Sequence, residues 1–192
     1  AFLIPGNASR QTTREINVDG TLNVFRAAAA AGVRRFVYAS SVAAYGWHPD
    51  NPEPIPEDWP VRPAARLFYG QEKAELEQLL DAEAAATPGL ALYLLRPPVV
   101  LGPHAIGAKD VLPGPLAPIG RALFGRPRRL PVPVPVLAPE LRFQFIHEDD
   151  VGSALQLCVV GAGPAGAYNI AGDGVLTTAD VLREFGALPV PV

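Results

Sequence analysis

Tyr69 and Lys73 stand four residues apart in the stretch FYGQEK, inside a segment whose pattern predicts a helix. Residues four apart on a helix share one face and lie close to each other. An ammonium beside a phenol favours the phenolate, so we expect Lys73 to lower the pKa of Tyr69 below its ordinary value of about 10. Such a pair exchanges a proton with a substrate hydroxyl or carbonyl. The alternative interpretation is a surface tyrosine beside a solvated lysine.

A serine pair, Ser40 and Ser41, ends the run VRRFVYASS. In open α/β sheets, ligands bind at the carboxyl ends of the strands. A serine hydroxyl at that place would hydrogen-bond the same substrate oxygen as Tyr69. The alternative is an ordinary turn at the end of a strand.

Helices and strands that alternate along the first half must position these side chains. The pattern predicts a helix over 13–31 that ends at Gly32, a buried strand over 33–40, a helix over 67–86 that ends at Pro88-Gly89, and a buried strand over 90–95. Residues 47–63 contain six prolines and are predicted to form a loop. This alternation predicts a parallel α/β sheet.

The second half is different in character, because residues 97–139 are rich in proline and glycine. Such a segment is typical of a lid or a substrate-facing subdomain. The predicted elements are a short helix over 116–124, one alternating strand over 142–146, a helix over 149–160 with an Asp149 cap, a strand over 168–171 and a helix over 179–185 capped by Thr177 or Thr178.

Composition narrows the classes of function. The net charge of −3 gives no reason to expect nucleic acid or an anionic membrane as a partner. Cys158 is the single cysteine and forms no intrachain disulfide, which together with the lack of a signal-peptide pattern predicts a cytoplasmic protein. The histidines have no metal-ligand spacing, so no metal is expected, and His48 and His104 are predicted to be solvated loop residues.

Five stretches in this order resemble the extended short-chain dehydrogenase/reductases, the NAD-dependent epimerase/dehydratase group. They are INVDGTLNVFRAAAAAGVRRFVYASSVAAYG (16–46), FYGQEK (68–73), LRPPVVLGP (95–103), FIHEDDV (145–151) and YNIAG (168–172). The resemblance implies the C-terminal part of a Rossmann-type doubly wound parallel sheet over 1–96. It also implies a small Pro/Gly-rich substrate-binding region over 97–192, interleaved with the Rossmann part.

The resemblance also implies roles for individual residues. The implied catalytic residues are Ser41, Tyr69 as acid/base and Lys73 as its activator. The residues implied to lie at NAD or NADP are Asn17, Ala39, Ser40, Tyr69, Lys73, Pro97, Pro98 and Val99. Substrate contacts are expected from Val42, His104 and Arg142, whereas His147, Asp149 and Asp150 are expected to be structural. Family members often form homodimers through the helices that correspond to 13–31 and 67–86.

Departures from the family pattern qualify this interpretation. The Gly-rich phosphate-binding loop is not in the sequence, and the chain opens on AFLIPG without a methionine, so we expect a fragment that binds dinucleotide poorly by itself. Val99 and Phe143 stand where sugar-nucleotide enzymes often carry Asn and Arg. A smaller sterol-like, flavonoid-like or aldehyde carbonyl is therefore an equal candidate for the substrate. A cofactor-sensing regulatory module and an inactive remnant are the remaining alternatives.

Overall fold

The computed structural model of the chain describes residues 9–105, 135–138, 140–184 and 186–191. The chain divides into two compact units, with residues 1–97 and 150–170 in the first and residues 98–149 and 171–192 in the second. Residues 150–170 therefore return to the unit that contains the predicted catalytic residues. The predicted substrate-binding role of 97–192 stays a prediction.

The described helices and strands follow one another in the order expected for an α/β chain. In chain order they are α1 (Arg10–Arg14), a π-helical turn (Glu15–Asp19), α2 (Gly20–Ala30), β1 (Arg35–Ala39), a 3-10 turn (Val42–Tyr45), α3 (Phe68–Ala85), β2 (Ala91–Arg96), β3 (Val99–Leu101), β4 (Pro135–Ala138), β5 (Arg142–Phe143), β6 (Phe145–His147), α4 (Glu148–Val160), β7 (Gly166–Asn169), β8 (Leu176–Thr177), α5 (Thr178–Glu184) and β9 (Leu188–Pro191).

The first unit is built on a parallel sheet in the order β1-β2-β7. Strand β1 contains Phe36, Val37 and Tyr38, whose aromatic and β-branched side chains suit a half-buried pleated surface. Helix α3 connects β1 to β2, as parallel neighbours require. The predicted α/β class with a parallel sheet is confirmed, and so are the helices and strands predicted between residues 13 and 95.

The two faces of this sheet are packed by different helices. Helices α2 and α3 cover one face, where the cluster of buried residues consists of Val18, Leu22, Phe25, Tyr38, Leu76, Leu80, Leu92 and Leu94. Helix α4 covers the other face, where Tyr93, Leu95 and Cys158 are buried together. Because successive residues of a strand point to opposite faces, β2 contributes Leu92 and Leu94 to the first cluster and Tyr93 and Leu95 to the second.

Helix α4 begins one residue earlier than predicted. Its first residue is Glu148, and the Asp149 backbone N–H donates to Nδ1 of His147 at 3.3 Å. The predicted Asp149 cap is therefore wrong, since His147 takes that place. Asp149 lies in the first turn of α4, where its negative charge interacts favourably with the helix dipole.

The described part of the second unit contains short paired strands and helix α5. Strands β3 and β6 are parallel, β4 and β9 are parallel, and β5 and β8 are antiparallel. The single alternating strand predicted over 142–146 is wrong, because Gln144 separates β5 from β6 and these two strands pair with different partners. The predicted Thr177 cap of α5 is confirmed by a 3.2 Å bond from the Asp180 N–H to the Thr177 hydroxyl. The helix predicted over 116–124 lies outside the described residues.

Candidate active site

The carboxyl end of β1 meets one face of α3. Lys73 donates from Nζ to the Ala39 carbonyl at 2.6 Å, and the next two residues of the chain are Ser40 and Ser41. Ser41 forms a side-chain hydrogen bond with Tyr69. The structure therefore brings together the Ser41, Tyr69 and Lys73 side chains that the sequence predicted to act together.

Ser41 is held in an extended conformation at the start of the 3-10 turn, with φ −163° and ψ 151°. Its hydroxyl accepts from the Ala43 N–H at 3.2 Å and lies 3.5 Å from the Pro97 carbonyl. The neighbouring Val42 N–H donates to that same carbonyl at 3.1 Å. These bonds fix the serine between the ends of β1 and β2.

Lys73 is a buried cation between two aromatic rings. Its Nζ lies 4.8 Å from the Tyr38 ring centroid and 5.6 Å from the Tyr69 ring centroid, and the residue is 5 % exposed. Burial lowers the pKa of Lys73 to about 8, while the charges of Glu77 and Glu72 act in the opposite direction. Lys73 therefore changes its charge far closer to neutral pH than an exposed lysine does.

Tyr69 titrates in the direction opposite to our expectation. Burial raises the pKa of its phenol, and the hydrogen bond with Ser41 offsets only part of that rise. The prediction that Lys73 lowers the pKa of Tyr69 below its ordinary value is thus wrong for this structure, because burial outweighs the opposing hydrogen bond with Ser41. Tyr69 carries its proton at neutral pH.

Gly70 permits the close approach of α3 to the 3-10 turn. A Cβ at this position would lie 2.5 Å from the Ala43 carbonyl oxygen. Such a contact is too short for carbon and oxygen, so a side chain here would push the helix away. The glycine that follows Tyr69 therefore sets the distance between the tyrosine and Ser41.

Asn17, which the family resemblance assigned to the cofactor, is completely buried in the π-helical turn. Its Nδ2 donates to Oε2 of Glu72 at 2.9 Å, and its backbone carbonyl accepts from Thr21 Oγ1 at 2.6 Å. The hydroxyl of Tyr38 and Oε1 of Glu72 are buried and have no hydrogen-bond partner among the described residues. These contacts tie Asn17 to the residue beside Lys73, and its role at the cofactor stays a prediction.

A buried ion pair between Glu77 and Arg96 adjoins this group and was missed from the sequence. Arg96 Nη2 lies 2.7 Å from Glu77 Oε2 and its Nε lies 3.0 Å from Oε1. The Ser40 hydroxyl donates to the same Oε1, and Arg96 Nη1 donates to the Tyr45 hydroxyl. The available signals were the spacing of Glu77, four residues after Lys73, and a lone arginine at the end of the apolar run LALYLL.

The same network includes Asn169, whose Oδ1 accepts from the Tyr45 hydroxyl at 2.9 Å. It fixes the proline-rich loop, because three consecutive loop carbonyls accept from its side chains. The pairs are Asn169 to Ile55 (2.8 Å), Tyr45 to Pro56 (3.3 Å) and Arg96 to Glu57 (2.9 Å).

His48 is half-buried and hydrogen-bonded to the Arg62 carbonyl, so its prediction as a solvated residue is wrong. Gly46 has a φ of +69°, and a Cβ there would lie 2.3 Å from that carbonyl oxygen.

The other predicted site residues lie in the second unit. Pro98 and Val99 enter that unit directly after Pro97, and Arg142 begins the short strand β5. His104 is exposed, and its Nδ1 lies 3.0 Å from Oε1 of Glu148. The substrate roles of His104 and Arg142 stay predictions.

An apolar cavity of about 280 Å³ lies on the face of the sheet that α4 covers. Its lining includes Leu95, Cys158 and Tyr168. Among the described residues, no group of three or more His, Cys, Asp or Glu side chains is placed to hold a metal ion. Within those same residues, every helix is too short or too polar to cross a membrane.

Comparison with protein families identifies the chain. The model of the NAD-dependent epimerase/dehydratase family matches residues 5–171. The chain belongs to this family. The matched range contains Ser41, Tyr69 and Lys73, together with the Glu77–Arg96 pair. The sequence resemblance to this family is thereby confirmed.

Relatives of this epimerase/dehydratase chain are longer than the chain itself. An uncharacterized protein of Mycobacterium tuberculosis is 31% identical over 194 residues, which are 100% of this chain and 47% of that protein. A Thermus thermophilus UDP-glucose 4-epimerase, solved with NAD, has a TM-score of 0.68 and 26% identity over 93% of this chain and 58% of its own. The Bordetella bronchiseptica enzyme WbmG, also solved with NAD, has a TM-score of 0.69 and 25% identity over 100% and 56%.

Proposed function

We propose that the protein carrying this chain is an NAD- or NADP-dependent epimerase, dehydratase or reductase, in which Tyr69 passes a proton to or from a substrate oxygen. The observation that carries the proposal is the joint placement of Ser41, Tyr69 and Lys73 at the carboxyl end of a parallel sheet. Ser41 is hydrogen-bonded to Tyr69, and the Lys73 ammonium lies beside the Tyr69 ring, so the three side chains can act together on one substrate oxygen and its proton. The chain spans about half the length of the relatives it matches, so the activity is proposed for the whole protein.

The raised pKa of Tyr69 sets the direction in which the group works most readily. A neutral phenol donates a proton, so Tyr69 is ready to protonate the oxygen of a carbonyl while Ser41 hydrogen-bonds the same oxygen. The reverse reaction needs the phenolate, which becomes available as the pH rises. Lys73 is not among the influences on the pKa of Tyr69, so we assign its charge to holding the cofactor.

The residues in the first unit fit a nicotinamide dinucleotide by the chemistry of their donors. An ammonium, a phenol and a hydroxyl lie together at strand ends, where open α/β sheets bind nucleotides. Under this proposal Lys73 and Tyr69 hold the nicotinamide ribose, and Ala39, Ser40 and Pro97 line its approach. NAD or NADP, when bound, would supply the hydride chemistry: the reduced form gives a hydride to a carbonyl carbon and the oxidised form accepts one from an alcohol.

The substrate class rests on two opposed observations. The Thermus neighbour is a UDP-glucose 4-epimerase, which favours the hydroxyl of a sugar nucleotide. Val99 and Phe143 lack the polar groups that grip such a substrate, which favours a smaller and less anionic carbonyl compound. We propose the sugar nucleotide first, and a panel of both classes tests the choice.

Replacement of Tyr69 by phenylalanine tests the proposal. Tyr69→Phe removes the transferable proton and keeps the ring, so turnover in the full-length protein should fall by about 10²–10⁴-fold while dinucleotide affinity changes little. Turnover of a UDP-sugar panel is followed by chromatography of the sugar products, because epimerisation and dehydration cause no net change in the cofactor. Turnover of a panel of small ketones and aldehydes is followed by the absorbance of reduced nicotinamide.

The matched control is Tyr93→Phe, because the Tyr93 hydroxyl lies on the other face of the sheet and donates to the Gly163 carbonyl. This variant should retain full turnover. Unchanged turnover in Tyr69→Phe contradicts the proposal. Dinucleotide binding without turnover of any substrate favours a regulatory module instead.

A further inference from the structure

Glu77 is a buried carboxylate that the proposed proton transfer does not use. It lies one helical turn after Lys73 and two turns after Tyr69, on the same face of α3, and is 2 % exposed. Burying a carboxylate is costly unless its oxygens are paired. Its presence on this face therefore calls for an explanation.

Both oxygens of Glu77 are paired with groups from two different strands. Arg96, the last residue of β2, donates from Nε and Nη2 in a two-point contact at 3.0 and 2.7 Å. Ser40, which follows β1, donates its hydroxyl to Oε1. The carboxylate thus joins α3 to the carboxyl ends of two neighbouring strands.

The last residue of β1 and the two residues that follow it each contact a different residue of α3. The three contacted residues of α3 are spaced four apart. The pairs are Ala39 with Lys73, Ser40 with Glu77 and Ser41 with Tyr69. Ser40 lies between the two residues that contact the proton-transfer pair. Any shift of α3 along β1 that changes the Tyr69–Ser41 contact must therefore also break the Ser40–Glu77 bond.

We propose that Glu77 is a positioning residue, which locks α3 in register with the end of β1 and keeps Lys73 charged on the Ala39 carbonyl, with Arg96 as its anchor. The consequence for turnover rests on the proposed function, whereas the effect on Lys73 is independent of it. Within this proposal Glu77 touches neither substrate nor cofactor and acts only through Lys73 and Ser40.

The charged and titratable groups around Glu77 come from every element packed against it. They are Lys73, Glu72 and Asp81 of α3, Tyr38 of β1, Tyr45 of the 3-10 turn and Arg96 of β2. The Glu77 charge opposes the burial that lowers the pKa of Lys73. Arg96 neutralises much of the Glu77 charge and holds it in place, so the net effect on Lys73 depends on the pair being intact.

The sequence makes the titration of Lys73 directly measurable, because Lys73 and Lys109 are its two lysines. Full chain labelled with ¹³C at lysine Cε gives two lysine signals, and Lys73→Met identifies the Lys73 signal. In the unaltered chain we expect a midpoint near the value of about 8 for Lys73. Glu77→Gln should move that midpoint down by about one pH unit.

Two matched variants separate charge from position. Glu77→Asp keeps the charge and should return the Lys73 midpoint toward that of the unaltered chain. Glu75→Gln removes an exposed carboxylate of the same helix, which pairs with Arg14, and should leave the midpoint unchanged. An unshifted Lys73 midpoint in Glu77→Gln overturns the proposal, and so does an equal shift in Glu75→Gln.

Glu77→Gln leaves Arg96 buried without its partner, so this variant can fail to fold. Glu77→Gln combined with Arg96→Met removes the whole pair, and apolar replacements of buried ion pairs are often tolerated. The double variant should still lower the Lys73 midpoint and should weaken the protection of the Ala39–Ser41 amides from hydrogen exchange. A folded double variant with an unchanged midpoint overturns the proposal.

The full-length protein supplies the kinetic arm. In Glu77→Gln, the alkaline limb of the pH–turnover profile should shift to lower pH, because Lys73 loses its proton at a lower pH. Glu77→Asp should restore the profile of the unaltered protein. An active Tyr69→Phe enzyme contradicts the proposed function but leaves the Lys73 titration as a valid test of Glu77. A normal profile in Glu77→Gln, together with an inactive Tyr69→Phe, contradicts the positioning role alone.

Discussion

The two faces of the β1-β2-β7 sheet differ in the side chains that are buried at the carboxyl end of β2. The face under α2 and α3 ends in buried charges, where Arg96 meets Glu77 and Lys73 lies one turn away. The face under α4 ends in apolar side chains and a cavity of about 280 Å³. Neighbouring residues of β2, Leu95 and Arg96, belong to these two environments.

The difference affects how much stability a substitution costs on each face. The pocket on the α4 face is apolar and partly open to solvent, so changes there alter dispersion contacts and apolar hydration and leave no charge without its partner. The α3 face removes charges from water, which is favourable only when hydrogen bonds replace the lost hydration. The proposed proton-transfer group lies on the α3 face, where the loss of a hydrogen-bond partner by a buried charge strongly destabilises the fold.

The largest contrast is expected between Arg96→Met and Leu95→Met. Arg96→Met leaves Glu77 buried without its cation and should lower the free energy of unfolding by about 3–5 kcal/mol. Leu95→Met exchanges side chains of similar volume on the other face and should cost less than about 1.5 kcal/mol. Urea unfolding measures both, and equal costs would show that the two faces do not differ in this way.

A smaller contrast is expected within the apolar cores. Leu80 is fully buried between α3 and its neighbours, so Leu80→Ala opens a new cavity and should cost about 3–4 kcal/mol. Leu95 already borders a cavity, so Leu95→Ala should cost about 2 kcal/mol. Chemical unfolding of the two variants checks the difference, and a larger cost for Leu95→Ala reverses the comparison.

Alkaline pH tests the buried cation of the α3 face. Because the folded-state pKa of Lys73, about 8, is below its unfolded value of about 10.4, the unfolded chain binds more protons between these pH values. The contribution of Lys73 to stability therefore rises with pH across this window.

The matched measurement is the stability of Lys73→Met relative to the unaltered chain at several pH values. Lys73→Met avoids the cost of burying the charge near pH 7 and loses that advantage as the pH rises. The variant should lose about 2 kcal/mol relative to the unaltered chain between pH 7 and pH 10. A difference that stays constant over this range means that Lys73 titrates as an exposed lysine.

The smallest effect is expected from filling the cavity. Ala154 lines it, so Ala154→Leu should add apolar contacts and raise the free energy of unfolding by about 1 kcal/mol. Ala74 is 2 % exposed on the packed α3 side, and Ala74→Leu should instead destabilise by about 1–3 kcal/mol. The prediction is wrong if both alanines respond with the same sign in thermal unfolding.

Elements with a strong local signal could be predicted from the sequence. Gly32 and Gly89, with φ values of +74° and +90°, end the regions of α2 and α3 as their positions predicted. Six prolines excluded regular structure from 47–63. The strand over 142–146 failed because alternation gives the face of each residue but does not show where a strand changes its partner.

The site was predicted less completely than the fold. The meeting of Ser41, Tyr69 and Lys73 follows from a strand end, a helical spacing and a family resemblance. Glu77 and Arg96 are 19 residues apart in the chain, and nothing local in the sequence marks them as partners. Their pairing depends on how α3 lies across β2, which is a property of tertiary packing.

The sequence by itself determined that this protein is an α/β chain with a tyrosine and a lysine one helical turn apart beside a serine pair. It did so because hydrophobic periodicity, glycine and proline act over a few residues. The tertiary structure alone decided the protonation of that group. Burial raises the pKa of Tyr69 and lowers that of Lys73, since both depend on how much water and which charges the folded chain leaves around each side chain.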